Sequence, residues 1–218
     1  MERDPIKLSA KIFSSVFSPL LMPTYGIALA LNLTILQITP LTTRIGIIAI
    51  ILLLTAIIPA VLIRSLSTFK LIKDSELSQR TDRFIPFLVT LLLYISTSIY
   101  LFLANAPSWL YGFMIGASVA LAVTIIVNRW WKISAHSAAA GGLVSLSIIL
   151  SMLPEMPISM VWLVASTFLA AGLTCTARLI LQCHTPAQVY LGFANGFINI
   201  LFWSLLQESI IKNNITTT

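Results

Sequence analysis

Residues 45–63 read IGIIAIILLLTAIIPAVLI, a run without a single charged side chain. Arg44 precedes this run and Arg64 follows it. An α-helix rises 1.5 Å per residue, so about 20 apolar residues suffice to cross the roughly 30 Å hydrocarbon core of a bilayer. The stretch therefore predicts a transmembrane helix with an arginine marking each end.

The whole chain has the composition of a membrane protein. Of its 218 residues, 58% are hydrophobic and 9% are charged, and the mean hydropathy is +0.97. Soluble domains carry about 25% charged residues. We therefore expect residues 1–218 to form a single all-α domain, a polytopic transmembrane helix bundle of six or seven crossings.

Seven apolar segments follow one another, at residues 10–33, 45–63, 84–103, 109–127, 137–153, 160–175 and 189–206. Pro19 and Pro23 predict a kink in the first segment. If that kinked segment lies in the membrane interface, six crossings remain. Pro154 and Pro157 are expected to turn the chain between the fifth and sixth segments.

Two pairs of glycines are spaced for close helix packing. Gly112 and Gly116 lie in the fourth segment, and Gly192 and Gly196 lie in the last. This small-xxx-small spacing lets two helix backbones approach each other. The same faces make a homo-oligomer possible.

The positive charge points to membrane lipids as partners. The formal net charge is +6, but the cations are scattered at segment ends and form no basic stripe, so nucleic acid is not an expected partner. Cys175 and Cys183 have neither disulfide nor metal-ligand spacing and are interpreted as small apolar residues. We expect no removable signal peptide, because the apolar run after the charged N-terminus is long.

Three polar breaks interrupt the apolar pattern, at residues 64–83, 132–142 and 178–186. Two crossings separate the first break from the second, and two more separate the second from the third. An even number of crossings returns the chain to the same face of the membrane. All three breaks are therefore predicted to share one face.

The breaks contain the two histidines of the chain, His136 and His184, together with several cations. Cations can hold phosphoryl oxygens while one imidazole attacks phosphorus and the other protonates the leaving oxygen. This combination suits a phosphate ester as substrate. The alternative is that both histidines are incidental interface residues.

The three breaks resemble the signature of the type-two phosphatidate phosphatase superfamily, the membrane acid phosphatases related to vanadium haloperoxidases. Its pattern is K-x6-R-P, then P-S-G-H, then S-R-x5-H-x3-D. Lys73 and Arg80 have the first spacing, Ser134-Ala135-His136 stands where S-G-H would, and Arg178 and His184 have the last spacing. The resemblance implies an integral membrane lipid phosphatase that needs neither metal nor other cofactor.

The resemblance also implies a role for each residue. His184 would attack phosphorus and become a phosphohistidine, and His136 would give a proton to the departing alcohol. The phosphoryl oxygens would be held by Lys73, Arg80 and Arg178, helped by Ser134 and by the N–H groups at the start of the helix that follows it.

Three positions depart from the family pattern. Arg80 is followed by Thr81 instead of proline, so Arg83 is an equal candidate for the phosphate-binding arginine. Ala135 replaces a glycine. Gln188 stands where the family has aspartate, so it can orient the His184 ring but supplies no charge.

The missing charge leaves two hypotheses for function. In one, a loop carboxylate of Asp74, Glu76 or Asp82 replaces it, although ion pairs within the loop are the more ordinary use of these side chains. In the other, the chain is a non-catalytic protein that binds or transports a lipid phosphate and retains the fold.

Charge asymmetry predicts the orientation. By the crossing count, eleven of the thirteen Lys and Arg residues lie on the face of the three breaks, and Arg44 and Lys212 lie opposite. Cytoplasmic loops carry the excess of Lys and Arg. We therefore expect a multi-pass protein of the cell (inner) membrane with its site at the cytoplasmic leaflet.

Overall fold

The computed structural model describes residues 4–153 and 160–216, with the side chains of 211–216 left out. Arg3 and the side chain of Lys212, which entered the charge count, lie outside this description. So does the turn expected at Pro154 and Pro157.

All regular secondary structure in the described chain is helical, with no strand between residues 4 and 153 or between 160 and 216. We number eight helices: α1 (Pro5–Val16), α2 (Met22–Leu33), α3 (Leu41–Thr68), α4 (Phe84–Leu103), α5 (Ser108–Val127), α6 (Ala135–Met152), α7 (Val161–Ile180) and α8 (Pro186–Thr216). Short 3₁₀ turns occupy Ile35–Ile38 and Thr81–Arg83, and α3 contains a π-helical turn at Leu53–Ile57.

Six of these helices, α3 to α8, are long and apolar enough to cross a membrane. The polytopic helical bundle predicted from composition is therefore confirmed. α3 and α8 extend several residues beyond the apolar runs that predict them, because a helix continues into its polar flanks where backbone hydrogen bonding allows.

The first apolar segment forms two short helices instead of one kinked helix. α1 and α2 have 12 residues each, or about 18 Å, which is too short for a continuous crossing. At one end of the segment the hydroxyl of Ser14 accepts a hydrogen bond from Arg178, and at the other Asn32 accepts one from Arg44. The broken segment therefore runs from one end of the bundle to the other, alongside six continuous helices.

α8 is the central helix, and it makes the most extensive contacts of the bundle, with α5 and α6. A Cβ on Gly112 would lie 2.8 Å from Ser204 Cα, and one on Gly116 would lie 2.6 Å from Ile200 Cα. The glycines of α5 thus let its backbone approach that of α8.

The glycines of α8 serve the same purpose against α6. A Cβ on Gly192 would lie 2.6 Å from the Ser134 carbonyl oxygen, and one on Gly196 would collide with the Ala138 carbonyl. Both glycine pairs are therefore covered within the chain. Homo-oligomerisation stays a prediction, and these faces are not free to support it.

Direct hydrogen bonds join the three polar breaks at one end of the bundle. Arg83 Nη1 donates to the Ile133 carbonyl at 3.1 Å, and Lys132 Nζ donates to the Cys183 carbonyl at 3.0 Å. The prediction from crossing parity, that the breaks share one face, is confirmed.

Candidate functional site

The N-termini of α6 and α8 converge at this end of the bundle. The Ser134 backbone N–H, at the start of α6, donates to the Gln188 carbonyl in the first turn of α8 at 3.3 Å. The first-turn N–H groups of a helix lack intrahelical partners and carry partial positive charge. Two helix starts in contact therefore make an environment that favours an anion.

Ser134 caps α6 and is fully buried. Its Oγ accepts from the Ser137 backbone N–H at 3.3 Å and from Ser137 Oγ at 2.9 Å. Since the Ser134 oxygen receives both bonds, its own hydroxyl hydrogen is left to donate. The sequence assigned Ser134 to phosphate binding, and the structure places it at the helix start with that hydrogen available.

Gln188 has two functions in the first turn of α8. Its Oε1 accepts from the Thr185 backbone N–H at 3.3 Å, while its own N–H donates to Thr185 Oγ1 at 3.4 Å. These reciprocal bonds form a capping box, for which Thr-x-x-Gln is a recognised sequence. The same Oε1 lies 3.0 Å from His184 Nδ1. The same glutamine oxygen thus caps the N-terminus of α8 and orients the His184 imidazole.

This arrangement fixes the His184 tautomer. Because Oε1 can only accept, and already accepts from the Thr185 N–H, His184 Nδ1 must carry the proton that bonds to it. The other ring nitrogen, Nε2, then holds a free lone pair. His184 is also only 8% exposed. It is therefore an oriented, neutral imidazole with an unprotonated Nε2.

Burial, together with the charges of Arg83, Lys132 and Arg178, lowers the pKa of His184 to about 4, and the hydrogen bond to Gln188 opposes this shift. The ring is consequently uncharged at pH 7. A neutral imidazole is the form that can act as a nucleophile.

Three cations surround the histidines, one from each break: Arg83, Lys132 and Arg178. Arg83 is 5% exposed and donates from Nε to the Leu77 carbonyl at 2.9 Å as well as to Ile133. Lys132 is half-buried, and burial lowers its pKa, as do the charges of Arg83 and Arg178. Like charges held this close in a buried site favour an anionic ligand.

Arg178 lies in the last turn of α7 and is directed at α1. Its Nη1 donates to Ser14 Oγ at 2.7 Å. Its Nε is buried and has no hydrogen-bond partner among the residues that the structure describes. An unpaired buried guanidinium N–H is a donor that an incoming anion can satisfy.

His136 lies in the first turn of α6 and is half-buried. Its ring is within electrostatic range of Arg178, His184 and Arg83, and within hydrogen-bonding reach of the Ser14 backbone carbonyl. The two histidines, far apart in sequence, therefore share one cationic site.

Lys73 and Arg80 lie outside this cluster, although the family spacing singles them out. Both side chains are exposed. The Lys73 backbone N–H donates to Asp82 Oδ2 at 2.7 Å, and the Arg80 carbonyl accepts from Asn128 Nδ2 at 2.9 Å. Of the two candidate arginines, Arg83 is the one that faces the histidines.

The loop carboxylates mainly hydrogen-bond within the loop. Asp74 accepts from the Ser78 N–H at 3.1 Å and from its hydroxyl at 3.2 Å. Its charge also acts on Arg83 and Lys132. None of the hydrogen bonds found in the described residues joins a loop carboxylate to His184, whose orienting partner is the neutral Gln188.

Sequence reasoning missed two members of the cluster, Lys132 and Ser14. Lys132 stands four residues before His136, so its place in the second break was a usable signal. Ser14 lies in an apolar segment 164 positions from its partner Arg178, and no motif marks it.

No protein-family model matches the chain, and no curated protein or solved structure matches it either. The resemblance to the phosphatidate phosphatase superfamily thus stays a prediction carried by the motifs. The geometry is independent of that resemblance.

The state of His184 can be measured directly, because protein labelled with ¹⁵N-histidine contains only two imidazoles. We expect His184 to be neutral and protonated at Nδ1 at pH 7, and to take up its second proton near pH 4. Unfolded histidine titrates near pH 6.5. Falling pH therefore favours the unfolded chain between about 6.5 and 4, and the stability contribution of neutral His184 is lost over that window.

The variant Gln188→Leu is the comparison for this NMR titration. Without the Oε1 acceptor, the His184 ring should populate both tautomers, and the ¹⁵N shifts should average. A wild-type His184 that titrates near pH 6.5 would show that the ring is not buried among cations.

Proposed function

We propose that this protein is an integral membrane lipid phosphatase, which hydrolyses a lipid phosphate monoester or diphosphate through a phosphohistidine. The observation that carries the proposal is the neutral, oriented His184 among three cations at the end of a membrane bundle. The motif resemblance supports the same chemistry.

His184 Nε2 is the proposed nucleophile. Its lone pair forms a bond to phosphorus while the bond from phosphorus to the ester oxygen breaks. His136 enters this step as the doubly protonated imidazolium, gives a proton to that oxygen and is left neutral, so the lipid leaves as an alcohol, or as a monophosphate when the substrate is a diphosphate. Water then attacks the phosphohistidine and gives its proton to His136, which releases inorganic phosphate and regenerates both rings.

The cations hold the phosphoryl group during both steps. Arg83, Lys132 and Arg178 supply N–H donors and positive charge, and the α6 N-terminus with the Ser134 hydroxyl adds further donors. Such donors stabilise the charge that develops on the phosphoryl oxygens. Lys132 thus takes the role that the resemblance gives to Lys73, and Arg83 takes that of Arg80.

A lipid is the substrate class that the location favours. The cluster lies where six membrane-length helices end, and Trp130, beside the second break, is 74% exposed. Tryptophan concentrates at the level of lipid headgroups. We further propose, from the excess of Lys and Arg on this face, that the site opens to the cytoplasmic leaflet of the cell inner membrane.

Gln188 favours a second candidate function, a non-catalytic protein that binds or transports a lipid phosphate. A carboxylate at this position would stabilise positive charge on His184, whereas the glutamine oxygen orients the ring without charge. A cationic site without that carboxylate remains well suited to holding an anion.

Purified protein in detergent should release inorganic phosphate from phosphatidate, phosphatidylglycerophosphate or a prenyl diphosphate in the presence of a metal chelator. His184→Ala should abolish release, and a rapidly quenched wild-type reaction should contain an acid-labile, base-stable phosphoenzyme that the variant lacks. Continued release by His184→Ala would exclude His184 as nucleophile.

The lysines provide a matched test of which cations hold the phosphate. Lys132→Gln should lower kcat/KM roughly ten- to hundredfold, the range expected for losing a hydrogen bond to a charged group. Lys73→Gln should change it by no more than about twofold, because an exposed cation contributes little. If Lys73→Gln lowers kcat/KM as much as Lys132→Gln does, or more, then Lys73 has the phosphate-binding role.

Gln188→Asp discriminates between the two candidate functions. If the protein is an enzyme, the added carboxylate should raise the rate of phosphoenzyme formation, because it stabilises the His184 imidazolium. Gln182→Asp, which adds the same charge at an exposed position of the same break, is the control and should have no such effect. If wild type and both variants bind the lipid but none turns it over, the binding protein is the correct assignment.

A further inference from the structure

We propose that Ser14 is a positioning residue of the site, and that α1 is therefore part of the catalytic machinery. Its hydroxyl accepts a hydrogen bond from Arg178, and its backbone carbonyl lies near the His136 ring. The catalytic consequence rests on the proposed phosphatase function, whereas the placement of Ser14 does not. Ser14 lies outside all three motif-bearing breaks.

The hydroxyl contact is a charge-assisted hydrogen bond from Arg178 Nη1 at 2.7 Å. Ser14 is 6% exposed, while Ser15 beside it is exposed. α1 therefore turns this one hydroxyl towards α7, the helix that carries Arg178 and against which α1 mainly packs. Because Arg178 Nε remains unpaired, the bond to Ser14 orients the guanidinium and still leaves it a donor for phosphate.

The carbonyl contact follows from where α1 ends. Helix α1 stops at Val16, so the Ser14 carbonyl is among the last four of the helix, which have no intrahelical partner. It lies within hydrogen-bonding reach of the His136 ring. These terminal carbonyls form the negative end of the helix dipole, where a protonated imidazole is stabilised.

A carbonyl can only accept, so a hydrogen bond to Ser14 requires the facing nitrogen of His136 to carry a proton. The other ring nitrogen is then directed away from α1 and is free to exchange a proton with the leaving oxygen. The same logic applies to His184 and Gln188. Each histidine thus has a neutral oxygen beside one ring nitrogen, hydrogen-bonded in the case of His184, and its second nitrogen is left for chemistry.

Three variants test the proposal: Ser14→Ala, Ser14→Thr and Ser15→Ala. Ser14→Ala removes the hydroxyl that holds Arg178, and we expect kcat/KM for lipid phosphate hydrolysis to fall roughly tenfold, mainly through a higher KM. Ser14→Thr keeps a hydroxyl and should restore most of the loss. Ser15→Ala makes the same chemical change one residue away, on the exposed face, and should be silent.

A second readout needs no substrate. Loss of the Arg178 bond should shift α1 relative to α6, so the ¹⁵N signals of His136 should move in Ser14→Ala and stay in place in Ser15→Ala. The affinity for inorganic phosphate, measured by calorimetry, should weaken in Ser14→Ala alone.

The proposal is overturned if Ser14→Ala matches Ser15→Ala in the His136 signals and in phosphate affinity, or if Ser14→Thr fails to restore what Ser14→Ala loses. A wild-type protein that hydrolyses no lipid phosphate would refute the proposed phosphatase function. The His136 signals would still decide whether Ser14 positions the site.

Discussion

The close approach of α8 to the start of α6 is the constraint on which the site depends. Gly192 has no Cβ, and a Cβ there would lie 2.6 Å from the Ser134 carbonyl. Because the two backbones meet, the Ser134 N–H reaches the Gln188 carbonyl. That contact brings the helix start with His136 beside the helix start with Gln188 and His184. A side chain at position 192 would force one of these two backbones to shift.

The sequence predicted the fold well where a single physical requirement dominates. Long apolar runs must be buried in lipid, and six of the seven runs counted in the sequence are the continuous helices. Crossing parity placed the three breaks at one end without knowledge of how the helices pack. The ends of α3 and α8 and the break within residues 10–33 were predicted less well, because they depend on backbone hydrogen bonding and on tertiary contacts such as the one between Tyr94 and the Pro19 carbonyl.

The membership of the site was harder to predict than its location. Arg80 and Arg83 are equal candidates by sequence, but Arg83 ends the 3₁₀ turn directly before α4, where its guanidinium is near the Phe87 ring and bonds to the Leu77 and Ile133 carbonyls. Arg80 remains exposed. Side-chain depth of this kind is decided by the packing of a loop, and the K-x6-R spacing carries no information about it. Ser14 was unpredictable for a similar reason, since its partner comes from the far end of the chain.

The charge of the site bears on which of the two functions it performs. Neutral oxygens lie beside both histidines, Gln188 Oε1 at 3.0 Å from His184 Nδ1 and the Ser14 carbonyl near His136, whereas the three cations act on His184. With a carboxylate at position 188, the site would be one unit less positive. Its absence strengthens the attraction for a phosphate dianion in the ground state and removes stabilisation from the imidazolium that develops as His184 attacks. Interactions that favour the ground state as much as the transition state improve binding without raising kcat. The structure thus orients the His184 ring as catalysis requires, but the charges around the ring favour binding of the substrate over its turnover. The proposed phosphatase is therefore expected to bind its substrate tightly and to turn it over slowly.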